Sequence, residues 1–203
     1  MNTSDRQLII LSKNPEAGMV KTRLAKSIGE ENALEIYEIL RQHTARVAEK
    51  VDAKRVVFFS RFIPSSDLFL NDNFSARLQD GNDLGERMLQ AIKSGFESGF
   101  HQVVLIGTDC YELIPAILDD AFSRLERADA VIGPAKDGGF YLIGMKRVIP
   151  ELFVDRQWST HDVLLDTLAI LKQLDTTYEL LVELSDIDTF DDLKKSPLWT
   201  SKP

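Results

Sequence analysis

The sequence predicts an α/β protein built on a largely parallel sheet, and three observations carry that expectation. Short runs rich in β-branched and aromatic residues alternate with amphipathic helical patterns almost from end to end, as strands joined by crossover helices do. One run, residues 102–106 (QVVLI), is nearly all apolar, the signature of a strand buried on both faces. Clusters of basic and acidic residues fall just after the apolar runs, where a parallel sheet presents its ligand-binding loops.

Residues 7–12 are the first strand. A long helix over 31–51 follows, with Leu34, Tyr37, Leu40, Thr44, Val47, Ala48 and Val51 at helical spacing. Residues 55–60 (RVVFFS) are a second strand. Pro64, Ser65, Ser66 and Asn71 make residues 62–73 a loop with room for one short helix, and 75–79 are a third, weak strand. Asp83 caps a helix to about Ser98, with Leu84, Met88, Ala91, Ile92 and Phe96 on its apolar side. After the strand at 102–106 comes a helix over 113–127, with Ile117, Leu118, Ala121, Phe122 and Leu125 in register, then a strand from 128 to 132. Beyond the turn Lys136-Asp137-Gly138-Gly139, residues 140–145 are a strand, 159–174 a helix and 178–184 the last strand. Thr189 caps a short helix, and Asp192 three residues on approximates a capping box. No repeat or shift in composition marks a boundary, so residues 1–203 are expected to form a single domain.

With 44% apolar and 28% charged residues, the chain has the balance of a globular protein. Its net charge of −8 argues against nucleic acid as a partner, which would need a broad basic face. The amino terminus has no basic region followed by a long apolar stretch, and no segment reaches the about 18 to 20 apolar residues of a membrane span. A cytoplasmic protein is expected. Cys110 is the one cysteine, which excludes an internal disulfide and fits a reducing compartment.

Against this negative field, residues 13–24 (KNPEAGMVKTRL) gather Lys13, Lys21 and Arg23, with Lys26 just beyond, around Glu16. The loop leaves a strand, passes Pro15 and Gly18, and opens a helical turn at Lys21-Thr22-Arg23. Backbone N–H groups at such a junction, with added cations, bind phosphate and stabilise a departing polyphosphate; the alternative is a solvated basic turn. No G-x-x-x-x-G-K-[ST] and no G-x-G-x-x-G follows the first strand, so ATPase and dinucleotide readings lose support.

Asp109, in Gly107-Thr108-Asp109-Cys110, lies just beyond the most buried strand, poised for a divalent cation or else for a helix cap. Asp186 and Asp188 are two apart in residues 185–189 (SDIDT), so either could reach the same ion or serve the turn and cap. Asp188, beside the cap, is favoured. Asp137-Gly138-Gly139 reads equally as a close backbone approach to a ligand and as a plain hairpin turn. His161, near Trp158 and Ser159, could face an acceptor pocket or be a structural histidine. Cys110 reads as a packed side chain, and His43 and His101 as incidental.

Taken in order, KNPEAGMVKTRL, Gln79-Asp80-Gly81 with Asp83-Leu84-Gly85-Glu86-Arg87-Met88, IGTDC, KDGGFYLIG, Trp158-Ser159-Thr160 and DIDTFDDL resemble the DUF2064, or radical SAM/selenodomain-associated transferase 1, family of the nucleotide-diphospho-sugar transferase superfamily. The resemblance implies a GT-A-like fold, a Rossmann-like α/β/α sandwich with a mostly parallel mixed sheet. It also implies a nucleotide partner, either an NTP or an NDP-sugar, a small-molecule acceptor, and Mg²⁺ or Mn²⁺. The first loop is also similar to that of the phospholactate guanylyltransferases, with Lys21, Arg23 and Leu24 in the Lys-x-Arg-Leu places. Asp109 and Asp188 match metal positions, with Asp186 a further candidate. Lys13, Gly18, Lys21, Arg23, Asp80, Gly81, Gly107 and Thr108 are expected on the nucleotide, and Gly138, Gly139, Trp158 and His161 on the acceptor side. Two departures stand out: Gly18 is the first loop's one glycine, and Tyr111-Glu112 replaces a proline common after the GTD run.

Glycosyl and nucleotidyl transfer both remain open, with the basic loop tilting slightly to the second. In the nucleotidyl version an acceptor phosphate or carboxylate attacks the α-phosphorus of an NTP, and Lys21 and Arg23 stabilise departing pyrophosphate. In the glycosyl version a sugar carbon is attacked and Asp137 is the candidate base. A non-catalytic nucleotide-binding module on the same fold, or an unrelated Rossmann-like methyltransferase, are the rivals.

Overall fold

The computed structural model describes residues 5–158 and 160–200. Strands β1 (Arg6–Ser12), β2 (Lys54–Phe59), β3 (Ser75–Leu78), β4 (Gln102–Ile106), β5 (Ala130–Pro134), β6 (Phe140–Met145) and β7 (Tyr178–Leu180) form one sheet in the order β3-β2-β1-β4-β6-β5-β7. The helices are α1 (Thr22–Ile28), α2 (Glu30–Ala48), α3 (Leu84–Glu97), α4 (Pro115–Arg124), α5 (Val163–Gln173), α6 (Phe190–Lys195) and α7 (Pro197–Thr200). β6 is antiparallel to β4 and β5, and the other pairings are parallel. The connection from β5 to β6 is too short for a crossover. The Asp137-Gly138 turn is therefore a hairpin turn, with Gly138 N–H donating to the Ala135 carbonyl and Ala135 N–H to Gly139.

Alternation along the strands sorts side chains to two cores. Leu8, Ile10, Val57, Phe59, Val104, Ile106 and Val131 pack with Ala45 and Val47 of α2 and Leu118, Ala121 and Phe122 of α4. Ile9, Val56, Phe58, Val103, Leu105 and Ile132 pack with Met88, Leu89 and Ile92 of α3 and Leu171 of α5. The result is a three-layer α/β/α sandwich whose middle layer is hidden on both faces, as the apolar run at β4 requires. A third cluster joins Leu24 of α1 and Leu40 of α2 to Ile187, Leu193 and Leu198. It pins the carboxyl-terminal segment beside the first loop.

Element ends differ from expectation for local reasons. α4 starts at Pro115, a residue preorganised for the first helical position, after an extended Ile114. α2 ends at Ala48 rather than Val51, although Val51 stays buried in the core. β7 is regular only to Leu180. β5 shifts register at Gly133/Pro134, and Leu184 rejoins through a single bridge to Ala135. α5 begins at Val163; the expected start, Ser159, lies outside the described residues, as do residues 1–4. Leu84, expected on the apolar side of α3, is 45% exposed because it opens the helix at the rim. Residues 62–73 contain no helix. That segment is drawn inward by Phe69, which packs edge-on against Phe74, and by Asp67, which pairs with Arg41 in the interior.

Candidate active site

The carboxyl ends of β1, β2, β3 and β4, with the loop beyond β7 and the β5–β6 hairpin, surround one cleft of about 950 Å³. An open α/β sheet binds ligands at this edge, where successive loops diverge. Lys21 stands at its centre. It adopts a left-handed conformation (φ 48°, ψ 42°) immediately before α1, and its side chain, 3% exposed, places Nζ 2.6 Å from Asp109 Oδ1 and 2.9 Å from Asp188 Oδ1. Arg23 Nη2 reaches Asp188 Oδ2 at 2.9 Å. Burial alone would lower the Lys21 pKa, but the two carboxylates overcome it and hold the ammonium well above its ordinary range. Asp188 moves the opposite way: burial pushes its pKa up, and Lys21 and Arg23 bring it below the usual carboxylate value.

Packing and hydrogen bonds around this centre hold three loops together. Ile187 is buried among Leu24, Leu40 and Leu193, and its N–H donates to the Asp109 carbonyl. Asp186 and Asp188 are thereby delivered to the Asp109 loop without a continuing strand. Thr189 caps α6 in a reciprocal capping box with Asp192. Asp109 caps nothing, since α4 begins six residues later. Glu112 accepts from Ser185 N–H at 2.8 Å. Tyr111 stacks on His43, whose Nε2 contacts the Leu113 carbonyl. His43 is thus a brace for the Asp109 loop and not an incidental residue.

Asp186 differs from its neighbours. Burial first, then the nearby Asp109 charge, push its carboxyl up to about 8. Cys110 is buried, and burial followed by the Asp186 charge pushes its thiol up to about 12; such a thiol is inert as a nucleophile.

Several expected residues line the cleft together: Lys13, Lys21, Arg23, Gly107, Thr108, Asp109, Asp137, Gly139, Trp158, His161, Asp186 and Asp188. Gly18, Asp80, Gly81 and Gly138 do not. Gly18 (φ +74°) turns against the Glu30 carboxylate. Gly81 (φ +132°) sits where a Cβ would meet Glu86 Cβ at 2.6 Å, and its carbonyl accepts from Arg87 Nε. The Asp80-Gly81 turn therefore positions Arg87, which does face the cleft.

Sequence reasoning missed Asn14, Tyr37, Arg61 and, as a wall residue, Gln79. Asn14 is buried and bridges two strand ends, taking Arg61 N–H on Oδ1 and giving Nδ2–H to the Phe62 carbonyl. Tyr37 joins the first loop to the Asp109 loop: its hydroxyl receives Lys13 N–H at 2.9 Å and Thr108 Oγ1 lies 3.2 Å away. Arg61 pairs with Glu16 of the first loop. The available signal was position, since Gln79 directly follows a strand end, as Lys13 and Gly107 do, and Arg61 lies two residues beyond one.

The residues fit a divalent cation. Asp109 Oδ1 and Asp188 Oδ1 converge on one point, occupied here by the Lys21 ammonium, which stands in for a cation. Among the described residues no three His, Cys, Asp or Glu side chains group so as to hold a metal ion, and Asp186, the further candidate, is not gathered with Asp109 and Asp188 into one such group. Two carboxylates suit Mg²⁺, which keeps waters and completes its shell with substrate phosphates.

Residues 43–160 match the family described as "Uncharacterized protein conserved in bacteria (DUF2064)". No curated protein matches the chain in sequence. Among solved structures, it is similar to a protein of Desulfovibrio desulfuricans G20 provisionally named a nucleotide-diphospho-sugar transferase, with 29% identity over 98% of this chain and 91% of that one and a TM-score of 0.87. The inositol-1-phosphate CTP transferase from T. maritima shares the fold at 16% identity (95% and 93% coverage, TM-score 0.59). So does Rv0371c of Mycobacterium tuberculosis H37Rv, solved in complex with manganese, at 11% identity (98% and 100% coverage, TM-score 0.56). With its motifs, its sheet order and this match in agreement, the chain belongs to the DUF2064 family and carries the fold of the nucleotide-diphospho-sugar transferases.

Proposed function

We propose that this protein is a metal-dependent transferase that uses a nucleotide-activated donor. One observation carries the reading: a buried lysine held between two carboxylates, Asp109 and Asp188, at the carboxyl edge of the sheet. Such a grouping can hold phosphate and a divalent cation together, and it stands where the loops are also pinned by Ile187 and the α6 cap. Asp109 and Asp188 would hold Mg²⁺ or Mn²⁺, which when bound supplies charge stabilisation to the donor phosphates. Asp186 stands beside them, its carboxyl pushed up by burial and by the nearby Asp109 charge.

Lys21 is the residue that exchanges partners. With a donor bound, its ammonium can leave the carboxylates for the phosphates, and Arg23 and Lys13 add donors from the same loop. Lys21 and Arg23 stabilise the leaving pyrophosphate or nucleoside diphosphate by fixed electrostatics, and Gly107, Thr108 and the first loop orient the nucleotide. The cationic wall of Lys13, Lys21, Arg23 and Arg61 favours nucleotidyl transfer slightly, because departing pyrophosphate concentrates charge there. Asp137, Gly139, Trp158 and His161 form the acceptor side. Among the described residues no helix is long and apolar enough to cross a membrane, and the buried reduced Cys110 suits a cytoplasmic setting.

A thermal-shift panel with NTPs and NDP-sugars, each with and without Mn²⁺, tests the reading. Metal-dependent stabilisation by one NTP, with NDP-sugars inert, assigns nucleotidyl transfer; selective stabilisation by an NDP-sugar assigns glycosyl transfer. An absence of any shift overturns the nucleotide site. Asp109→Ala should abolish turnover while the protein stays folded, and unchanged metal-dependent binding and turnover in that variant would remove the metal role.

A further inference from the structure

The β5–β6 hairpin and the segment before α5 meet in a tight clasp at the cleft wall. Gly138 has φ +91°, and a Cβ there would lie 2.1 Å from the His161 carbonyl oxygen. Leu164 N–H donates to the Gly138 carbonyl at 2.8 Å. His161 Nδ1 lies 2.7 Å from the Asp137 carbonyl oxygen. A carbonyl oxygen only accepts, so Nδ1 carries the hydrogen, and in the neutral imidazole Nε2 is left as a bare acceptor. The hairpin thus selects the tautomer of a histidine that lines the cleft.

The charges around it narrow the ligand. Asp137 uses Oδ1 to receive Gly139 N–H at 2.9 Å and stays exposed at the same wall, and Asp186 lies close enough to feel its charge. The described cations that line the cleft are Lys13, Lys21 and Arg23 of the first loop, Arg61 beyond β2, and Arg87, anchored on Gly81 beyond β3. Arg156 stacks over Trp158 at 5.2 Å and donates to the Leu152 and Val163 carbonyls and the Thr167 hydroxyl. Phe140 and Trp158 form an edge-to-face pair beside this wall. This wall therefore offers the Asp137 carboxylate, an aromatic platform and a bare imidazole nitrogen.

Resting on the transferase reading above, we infer that His161 is the base of this site and that the acceptor is an uncharged, hydroxyl-bearing molecule of polyol or sugar type, not a phosphate or carboxylate. An anionic acceptor would meet the exposed Asp137 carboxylate, and it would bring no proton for Nε2 to take. In the step, the acceptor O–H bond breaks and its proton passes to His161 Nε2. The oxygen forms a bond to the electrophilic centre of the nucleotide-activated donor. The bond from that centre to the phosphate leaving group breaks, and the leaving group departs with the electron pair. Asp137, expected from sequence as the base, is a positioning residue that acts through its main-chain carbonyl.

Two measurements test this. Long-range ¹H–¹⁵N spectra of the ligand-free protein, with His161→Asn as the assignment control, are expected to show Nδ1–H; a dominant Nε2–H tautomer overturns the proposal. Product mass is then followed with Mn²⁺, the donor chosen by the thermal-shift panel, and either polyols or phosphomonoesters as acceptors. Polyols are expected to react, and His161→Ala to lose about 100-fold or more in turnover. His161→Asn keeps an amide near the Nδ1 position, and with it the contact to Asp137, but lacks Nε2, so it should be as defective as His161→Ala. Wild-type turnover by His161→Asn, or a preference for phosphomonoesters, refutes the assignment. Both variants should keep metal-dependent stabilisation by the nucleotide, which separates this test from that of the parent reading.

Discussion

Replacing Lys21 by methionine removes the ammonium at the centre of the site while keeping an apolar stem of similar length. In the wild-type protein the Lys21 side chain is 3% exposed, and its ammonium touches Asp109 at 2.6 Å and Asp188 at 2.9 Å. Breaking a fully buried ion pair costs about 3–5 kcal/mol. Here the carboxylates are 43% and 32% exposed, and Arg23 still holds Asp188. Water and Arg23 absorb part of the loss, leaving about 1–3 kcal/mol, or roughly 2–12 °C in melting temperature for a chain of this size. The assay is differential scanning fluorimetry in EDTA and then across a Mn²⁺ titration. Lys21→Met should melt lower in EDTA and gain more from Mn²⁺ than the wild type, because the cation no longer competes with the ammonium for the same two oxygens. Equal stability in EDTA, or an identical Mn²⁺ response, would refute the idea that lysine and metal share one position.

Asp186 has its folded pKa raised to about 8 by burial and by Asp109, so the stability it lends is complete below its ordinary value of about 4 and is lost as pH rises to about 8. Asp186→Asn should flatten that decline in urea midpoints measured in EDTA from about pH 4.5 to 8.5; a variant falling as steeply as the wild type contradicts the assignment. Asp67→Ala strands the interior guanidinium of Arg41, which also donates to Ser12 Oγ at the end of β1, and should cost about 3–5 kcal/mol in urea unfolding. A loss below about 1 kcal/mol would mean that water replaces the carboxylate. Gly138→Ala forces a Cβ against the His161 carbonyl at positive φ, so a loss of about 2 kcal/mol or more and a weakened Nδ1–H signal are expected; a change within about 0.5 kcal/mol would show that the clasp relaxes freely.

Much of the architecture was legible in the sequence, because periodicity reports which side of an element meets water. The run QVVLI announced a strand covered on both faces, the spacing from Leu34 to Val51 announced α2, and Thr189 with Asp192 announced a cap that the structure completes. Lys21, Asp109 and Asp188 were legible in the sequence as candidates by charge and by the apolar strands before them, and the structure brings the three side chains together. Tertiary structure alone decided how these residues meet. Lys21 and Asp188 are 167 positions apart, and nothing local says that a buried Ile187 and its bond to the Asp109 carbonyl bring them within 2.9 Å. The reversal of β6, the reach of Tyr37 between two loops and the tautomer of His161 likewise depend on pairings between distant segments. A sequence records the preference of each residue for water, turn or core. The direction of a strand and the partner of a charge are settled only when the remaining surfaces have been buried, because those energies depend on distances the chain acquires by folding.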